Sequence, residues 1–318
     1  MSPRRHRVLF RVASGPRRGY GHVVRALRLG AALEADVWVS PRGPRPALPA
    51  SRHVRYAADA LGVLDGVRPD LLVIDTPILR DGLRWLRAAR ARRVAVASIH
   101  DCGIAPLASD LAIDGSLAAT APIPGARRTL FGARYIVIDD GVRRSSPRDA
   151  AGPTVVIALG GGPRVTLAGA IARRLRRAAP GVRIRVAGGL AGAGRATRRQ
   201  GIEWVGPQNG LARVLAAADV AVVAGGLTLY EAAAIGTPAV AVPIVRSQRR
   251  TVEAFARERA VSAPRPDAGV AGIADAAADL LSSPDLAARM AKRARRLVDG
   301  RGTARVAAVL QRLVEEAS

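Results

Sequence analysis

The chain lacks several features that would assign a function class outright. It has one cysteine among 318 residues, Cys102, so no intrachain disulfide can form and a disulfide-stapled secreted scaffold is excluded. A reducing, cytoplasmic setting is the expectation. Four histidines and one cysteine, without metal-ligand spacing, argue against a structural zinc site. Aromatic residues make up only 3% and are scattered, so no basic surface interleaved with stacking rings emerges and nucleic acid is not an expected partner. No apolar run reaches the roughly 18 residues of a membrane span. The first apolar stretch, Val8-Leu9-Phe10, is too short and broken for a signal-peptide core. Neither Gly-x-x-x-x-Gly-Lys-Ser/Thr nor Gly-x-Ser-x-Gly occurs, which removes P-loop and serine-hydrolase readings.

Lysine is also nearly missing. Lys292 is the single one, so the formal net charge of +25 is carried by arginine. Arginine is enriched together with Ala, Gly and Pro, as a strongly GC-biased genome would give, and charge alone is a weak pointer to a ligand. An affinity for anionic lipid stays open, at most as peripheral contact.

Hydrophobic residues at 49% suffice for two cores, and the length fits two domains of roughly 150 residues each. Short β-branched runs alternate with Ala/Leu/Arg-rich helical stretches, the pattern of β-α units around parallel sheets. Strands are predicted at Val8–Ala13, Asp36–Ser40, Leu71–Asp75, Val94–Ile99, Leu111–Asp114 and Tyr135–Ile138, with helices at His22–Glu34 and Gly82–Ala91. The charged, aperiodic stretch Asp139–Pro153 reads as a linker. Beyond it the pattern restarts with Thr154–Leu159, Val182–Ala187, Ile202–Val205, Val220–Ala224 and Ala239–Pro243, and the chain from Ala271 onward is almost wholly helical. The expected domains are 1–146 and 147–318.

Four strand-to-helix turns can carry chemistry, because ligands of open α/β sheets bind at the carboxyl ends of the strands. The first contains Gly19-Tyr20-Gly21-His22-Val23-Val24-Arg25. Gly19 and Gly21 allow close approach of the backbone, and His22 falls in the first turn of a helix, whose dipole disfavours imidazolium. The segment lacks the third glycine of a dinucleotide fingerprint, and the following strand does not end in an acidic residue. A plain Gly-rich turn with a helix-capping histidine fits these residues as well. The second turn is Leu159-Gly160-Gly161-Gly162-Pro163. The third is Ala224-Gly225-Gly226-Leu227-Thr228-Leu229-Tyr230-Glu231, where unpaired N–H groups at a helix start suit a diphosphate and Glu231 suits ribose hydroxyls. Thr228-x-x-Glu231 also fits a capping box that needs no ligand. The fourth is Arg246-Ser247-Gln248-Arg249-Arg250, in which Gln248 can hydrogen-bond sugar hydroxyls, or which is a solvated charged loop.

These residues resemble a known pattern. Gly19-x-Gly21-His22-x-x-Arg25, Leu159-Gly160-Gly161-Gly162, Gly225-Gly226-Leu227-Thr228-x-x-Glu231 and Gln248 are similar to the UDP-diacetamido-trideoxy-altrose hydrolase of pseudaminic acid biosynthesis. Ile99-His100-Asp101, Asp110-x-x-x-Asp114 and Gly132-Ala133-Arg134-Tyr135 fit it too. The second half also resembles the cell-wall N-acetylglucosaminyltransferase that forms lipid II. The chain departs from the hydrolase at His100, Leu227 and Ser247, where Asp, Ser and Asn are usual. Both resemblances imply a GT-B fold, two Rossmann-like αβα domains with parallel sheets facing across a cleft. The hydrolase resemblance implies His22 as catalytic base, with Gly19, Gly21, Arg25, Gly160, Gly161, Gly225, Gly226, Leu227, Thr228, Glu231 and Gln248 binding a UDP-sugar. The expected reaction is inverting cleavage of the anomeric sugar–phosphate bond without metal or cofactor. Water is the expected nucleophile, a sugar or lipid-linked hydroxyl the alternative, and a silent nucleotide-sugar-binding protein the second alternative.

Overall fold

The computed structural model describes residues 5–15, 19–45, 54–100, 106–144, 152–160, 164–188, 197–199, 201–205, 211–265 and 267–317. The chain forms two compact units, residues 1–137 with 301–318, and residues 138–300.

Unit 1 contains β1 (Arg7–Ala13), α1 (Gly21–Ala32), β2 (Asp36–Arg42), β3 (Val54–Tyr56), α2 (Val63–Val67), β4 (Leu71–Asp75), α3 (Leu79–Arg90), β5 (Ala95–His100), β6 (Leu111–Asp114) and β7 (Arg128–Phe131). Its seven strands are all parallel, in the order β3-β2-β1-β4-β5-β6-β7. Alternate residues serve opposite faces. Val8, Phe10 and Val12 of β1 join Leu71 and Val73 of β4 in one core, while Leu9, Leu72 and Ile74 join Trp85 of α3 in the other. A sheet covered on both faces needs such continuous apolar strands. The chain leaves β1 towards β2 and returns to β4 on its other side, so the carboxyl ends of β1 and β4 form the switch point where such sheets hold ligands.

Unit 2 contains a 3₁₀ turn at Asp140–Arg144, β8 (Thr154–Ala158), α4 (Arg164–Ala178), β9 (Arg183–Ala187), β10 (Thr197–Arg199), β11 (Ile202–Val205), α5 (Ala212–Ala216), β12 (Val220–Ala224) and α6 (Leu227–Ile235). It continues with β13 (Ala239–Val242), a 3₁₀ turn at Arg246–Gln248, α7 (Arg249–Arg257), α8 (Gly269–Ser282) and α9 (Pro284–Leu297). Its sheet runs β10-β11-β9-β8-β12-β13, parallel except for β10, and its switch point lies at the ends of β8 and β12. α4 and α8 pack Ile171, Leu175, Ile273 and Leu280 onto Val155, Ile157, Ile184 and Val222.

Two expectations need correction. The second half is not one continuous domain, because α10 (Gly302–Ala317) belongs to unit 1, where Val306, Leu310, Leu313 and Val314 join the core of α1 and β1. The division after the first half falls at 137/138 rather than 146/147, and the 3₁₀ turn at 140–144 belongs to unit 2. The strand expected at Tyr135–Ile138 is instead a 3₁₀ turn at Ala133–Tyr135 followed by extended chain, and the edge strand is β7. Ile136, Val137 and Ile138 are apolar because they are buried at 4%, 2% and 0% exposure, although they form no strand of the sheet. The Ile136 backbone is clamped by two glycines. A Cβ on Gly302 would stand 2.0 Å from the Ile136 carbonyl oxygen, and one on Gly115 2.6 Å from the Ile136 Cα. Among the described residues, no helix is long and apolar enough to cross a membrane.

The return of α10 is testable. Leu310→Ala should cost unit 1 about 2–5 kcal/mol in urea unfolding, as for other fully buried leucines, and Gly302→Ala should lower the same midpoint. An unchanged midpoint in both variants would exclude α10 from the core of unit 1.

Candidate active site

At the switch point of unit 1 the chain leaves β1 through a pinched loop. Gly15 and Gly19 both have positive φ, at +139° and +84°, and the Gly19 amide donates to the Gly15 carbonyl at 2.8 Å. Those backbone angles favour glycine, which accounts for Gly19; a Cβ on Gly21 would meet nothing within 4 Å. Helix α1 opens at Gly21 with Tyr20 as N-cap and no side-chain capping bond, so His22 does not cap its own helix.

The His22 ring turns instead to the last residue of β4. Its Nδ1 lies 2.7 Å from Oδ1 of Asp75, a carboxylate with no exposed surface. Arg25, one turn further along α1, donates from Nε to Asp75 Oδ2 at 2.7 Å and from a terminal nitrogen to Oδ1 at 2.6 Å. Burial by itself pushes the Asp75 carboxyl up, but the charges of Arg25 and His22 and their hydrogen bonds outweigh it and hold the group well below the usual carboxylate range. An ionised carboxylate can only accept, so the His22 proton sits on Nδ1 and Nε2 keeps its lone pair. The histidine side chain retains 15% exposure. The result is a histidine whose ring is oriented by a buried carboxylate.

Asp75 was missed by the motif reading, which saw only the end of a strand. The available signal was a carboxylate closing an otherwise apolar run, Leu71-Leu72-Val73-Ile74-Asp75. Arg25 was expected against substrate, yet its side chain is 4% exposed and its guanidinium is spent on Asp75.

Other polar groups of unit 1 also make internal contacts. Arg11 in β1 binds Asp81 of α3 at 2.9 Å and Asp59 at 2.6 Å and stacks 4.7 Å from the Trp85 ring centroid, anchoring the start of α3. His100, at the end of β5, places Nε2 2.8 Å from the Ser98 hydroxyl, which in turn meets that of Ser109 at 2.7 Å. Asp114, at the end of β6, accepts from the amide and hydroxyl of Ser116. Asp101 lies outside the described residues.

In unit 2, Gly160 follows β8 with φ +93°, and Gly161 lies outside the described residues. Arg164, at the start of α4, brings a terminal nitrogen within 3.5 Å of where a Gly160 Cβ would stand and makes no ion pair among the described residues. It went unnoticed in the sequence, although a basic residue directly after a glycine turn was the available cue. Beyond β12, Gly226 is the N-cap of α6 and no side chain caps it. Thr228 is therefore the second helical residue, and the capping box with Glu231 does not form. Leu227 and Thr228 are half-buried, whereas Glu231 is buried at 3% exposure. Gly225 is required by packing, since a Cβ there would lie 2.6 Å from Val252 and 3.0 Å from the Cβ of Gln248. Gln248 accepts the Ile244 amide on Oε1 at 2.8 Å. Its Nε2 is thereby left as a donor beside Gly226, 3.5 Å from the Cβ position there. Gly225, Gly226, Leu227, Thr228 and Gln248 thus converge on one helix start, whose free N–H groups and dipole favour an anion. Among the described residues no group of three or more His, Cys, Asp or Glu could hold a metal ion.

The ionised state of Asp75 has a consequence for stability. Its native carboxyl titrates below the roughly 3.9 of an unfolded aspartate, so its contribution is complete above about pH 4 and is lost as the pH falls towards the native value. Asp75→Asn should remove that dependence, giving a shallower decline of the urea midpoint between about pH 4 and pH 2 than wild type shows. Equal slopes would mean that the Asp75 carboxyl is not held below its unfolded value.

Comparison with known proteins places this geometry. The family model described as glycosyl transferases group 1 matches residues 171–297, within unit 2. The spore coat polysaccharide biosynthesis protein SpsG of Bacillus subtilis (strain 168) is 36% identical over 114 residues, which are 34% of this chain and 32% of SpsG, so the match spans about a third of that relative. Among solved structures, the spinosyn forosaminyltransferase SpnP superposes with a TM-score of 0.71 at 16% identity, over 98% of this chain and 100% of that one. MurG of Acinetobacter baumannii gives 0.64 at 16%, over 96% and 99%. The spinosyn rhamnosyltransferase SpnG complexed with thymidine diphosphate gives 0.64 at 15%, over 96% and 99%. Identities this low speak to architecture, and the architecture is plain: the chain has the GT-B fold, built from two Rossmann-like parallel-sheet units.

Proposed function

We propose that the protein transfers a sugar from a nucleoside diphosphate sugar to an acceptor hydroxyl, with His22 as general base. The observation that carries this reading is the His22–Asp75 pair, a partly exposed imidazole held by Nδ1 on a buried carboxylate at the switch point of unit 1. The group 1 glycosyl transferase match in unit 2 supports transfer over the hydrolysis that the resemblance to the hydrolase in both halves implies.

In this mechanism the acceptor oxygen attacks the anomeric carbon and gives its proton to His22 Nε2. The bond between that carbon and the phosphate oxygen breaks on the opposite side, its electron pair leaves with the nucleoside diphosphate, and configuration inverts. Within unit 2, the N–H groups at the start of α6, the Gln248 carboxamide donor and Arg164 are suited to binding a diphosphate. Asp75 stabilises the imidazolium that forms, as a buried carboxylate does for an orienting pair. The resemblances imply a uridine nucleotide, whereas a solved structure of similar fold holds thymidine diphosphate. The base is therefore part of the test. Water replaces the acceptor in the second reading, favoured by Gly19-x-Gly21-His22-x-x-Arg25.

UDP- and TDP-sugars should release nucleotide only when a saccharide or lipid-linked acceptor is supplied. His22→Ala should lower the rate by about 10²–10⁴-fold, the usual worth of general-base catalysis, with nucleotide affinity unchanged by calorimetry. Acceptor-independent release that needs His22 would establish hydrolysis instead, and failure to bind any nucleotide would remove the proposal. A chelator such as EDTA should leave turnover intact.

A further inference from the structure

We propose that Arg25 is a positioning residue that sets the proton affinity of His22 through Asp75 rather than binding substrate; the consequence for catalysis rests on the transfer reading above. His22 and Arg25 are three residues apart on α1, so both project from one helix face towards the end of β4. They share a single carboxylate. Arg25 engages both Asp75 oxygens, at 2.7 and 2.6 Å, and the nitrogen on Oδ1 also lies 3.1 Å from His22 Nδ1. That last approach brings the guanidinium charge next to the ring, which disfavours imidazolium.

The charge balance follows from the geometry. A buried carboxylate alone beside His22 would hold the ring as imidazolium, which cannot act as a base. The Arg25 guanidinium, 4% exposed, cancels that charge at the same oxygens, so the ring keeps the orienting hydrogen bond without being locked in its protonated form. Of the other titratable groups on this edge of the sheet, His100 of β5 is engaged by Ser98 and Asp114 of β6 by Ser116, while Arg11 of β1 pairs with Asp81 on the face covered by α3. None of these contacts compensates Asp75, and Arg25 does.

The test is a proton NMR titration of the histidine ring signals in the full chain, with His22 assigned by the peak missing in His22→Ala. It needs no activity, so a protein that fails as a transferase still answers it. Arg25→Met should raise the His22 midpoint by about one to three pH units. Arg25→Lys, which keeps the charge, should stay close to wild type, and Asp75→Asn should lower the midpoint. Should Arg25→Met not fold by circular dichroism, Arg25→Gln is read in its place. With an active transferase, kcat/KM of the neutral variant should fall at pH 7 and recover towards wild type at higher pH, whereas a merely structural role predicts a loss at every pH. An unmoved His22 midpoint in the folded neutral variant, or an equal rise in Arg25→Lys, overturns the proposal.

Discussion

A single buried carboxylate organises the first unit. Asp75 has no exposed surface, and an isolated charge in that position would be strongly destabilising. It is tolerated because α1 delivers two partners to it, a guanidinium bound at both oxygens and an imidazole bound at one. The same contacts fix the start of α1 against the end of β4 and orient the histidine ring.

The second unit reaches its site by close packing instead. Gly225 lets the turn at 246–248 approach the end of β12, because any Cβ there would collide with Val252 and Gln248. That approach puts the Gln248 carboxamide beside the start of α6, and the Ile244 amide decides which of its ends faces outward. The paired glycines thus bring a side-chain donor to a helix start. Glycine is used in the same sense at 302, where α10 begins directly on the backbone of Ile136.

Much of the architecture was legible along the chain. Leu71–Asp75, Leu111–Asp114, Ile202–Val205 and Val220–Ala224 were read with the observed boundaries, because buried parallel strands are short apolar runs bounded by turns. The turn at Gly19–His22 and the turn at Gly225–Gly226 were legible for a related reason, since glycine at a strand end marks an unusual backbone. Ile136-Val137-Ile138 misled, because burial under neighbouring chain and burial in a ladder select the same side chains. β3 and β10 escaped notice as three-residue strands with little pattern to show.

What the sequence by itself determined is what depends on near neighbours in the chain: two β-α repeats, glycine turns at strand ends, and a histidine in the first turn of a helix. What only the tertiary structure decided depends on residues far apart. His22 meets Asp75 across 53 residues, and α10 leaves the second half to complete the core of the first unit. Local pattern reports whether a side chain is buried and in what period, but not which distant group it is buried against. The pairing of a histidine with its carboxylate and of a helix with its sheet is settled only when the sheet order brings their elements together.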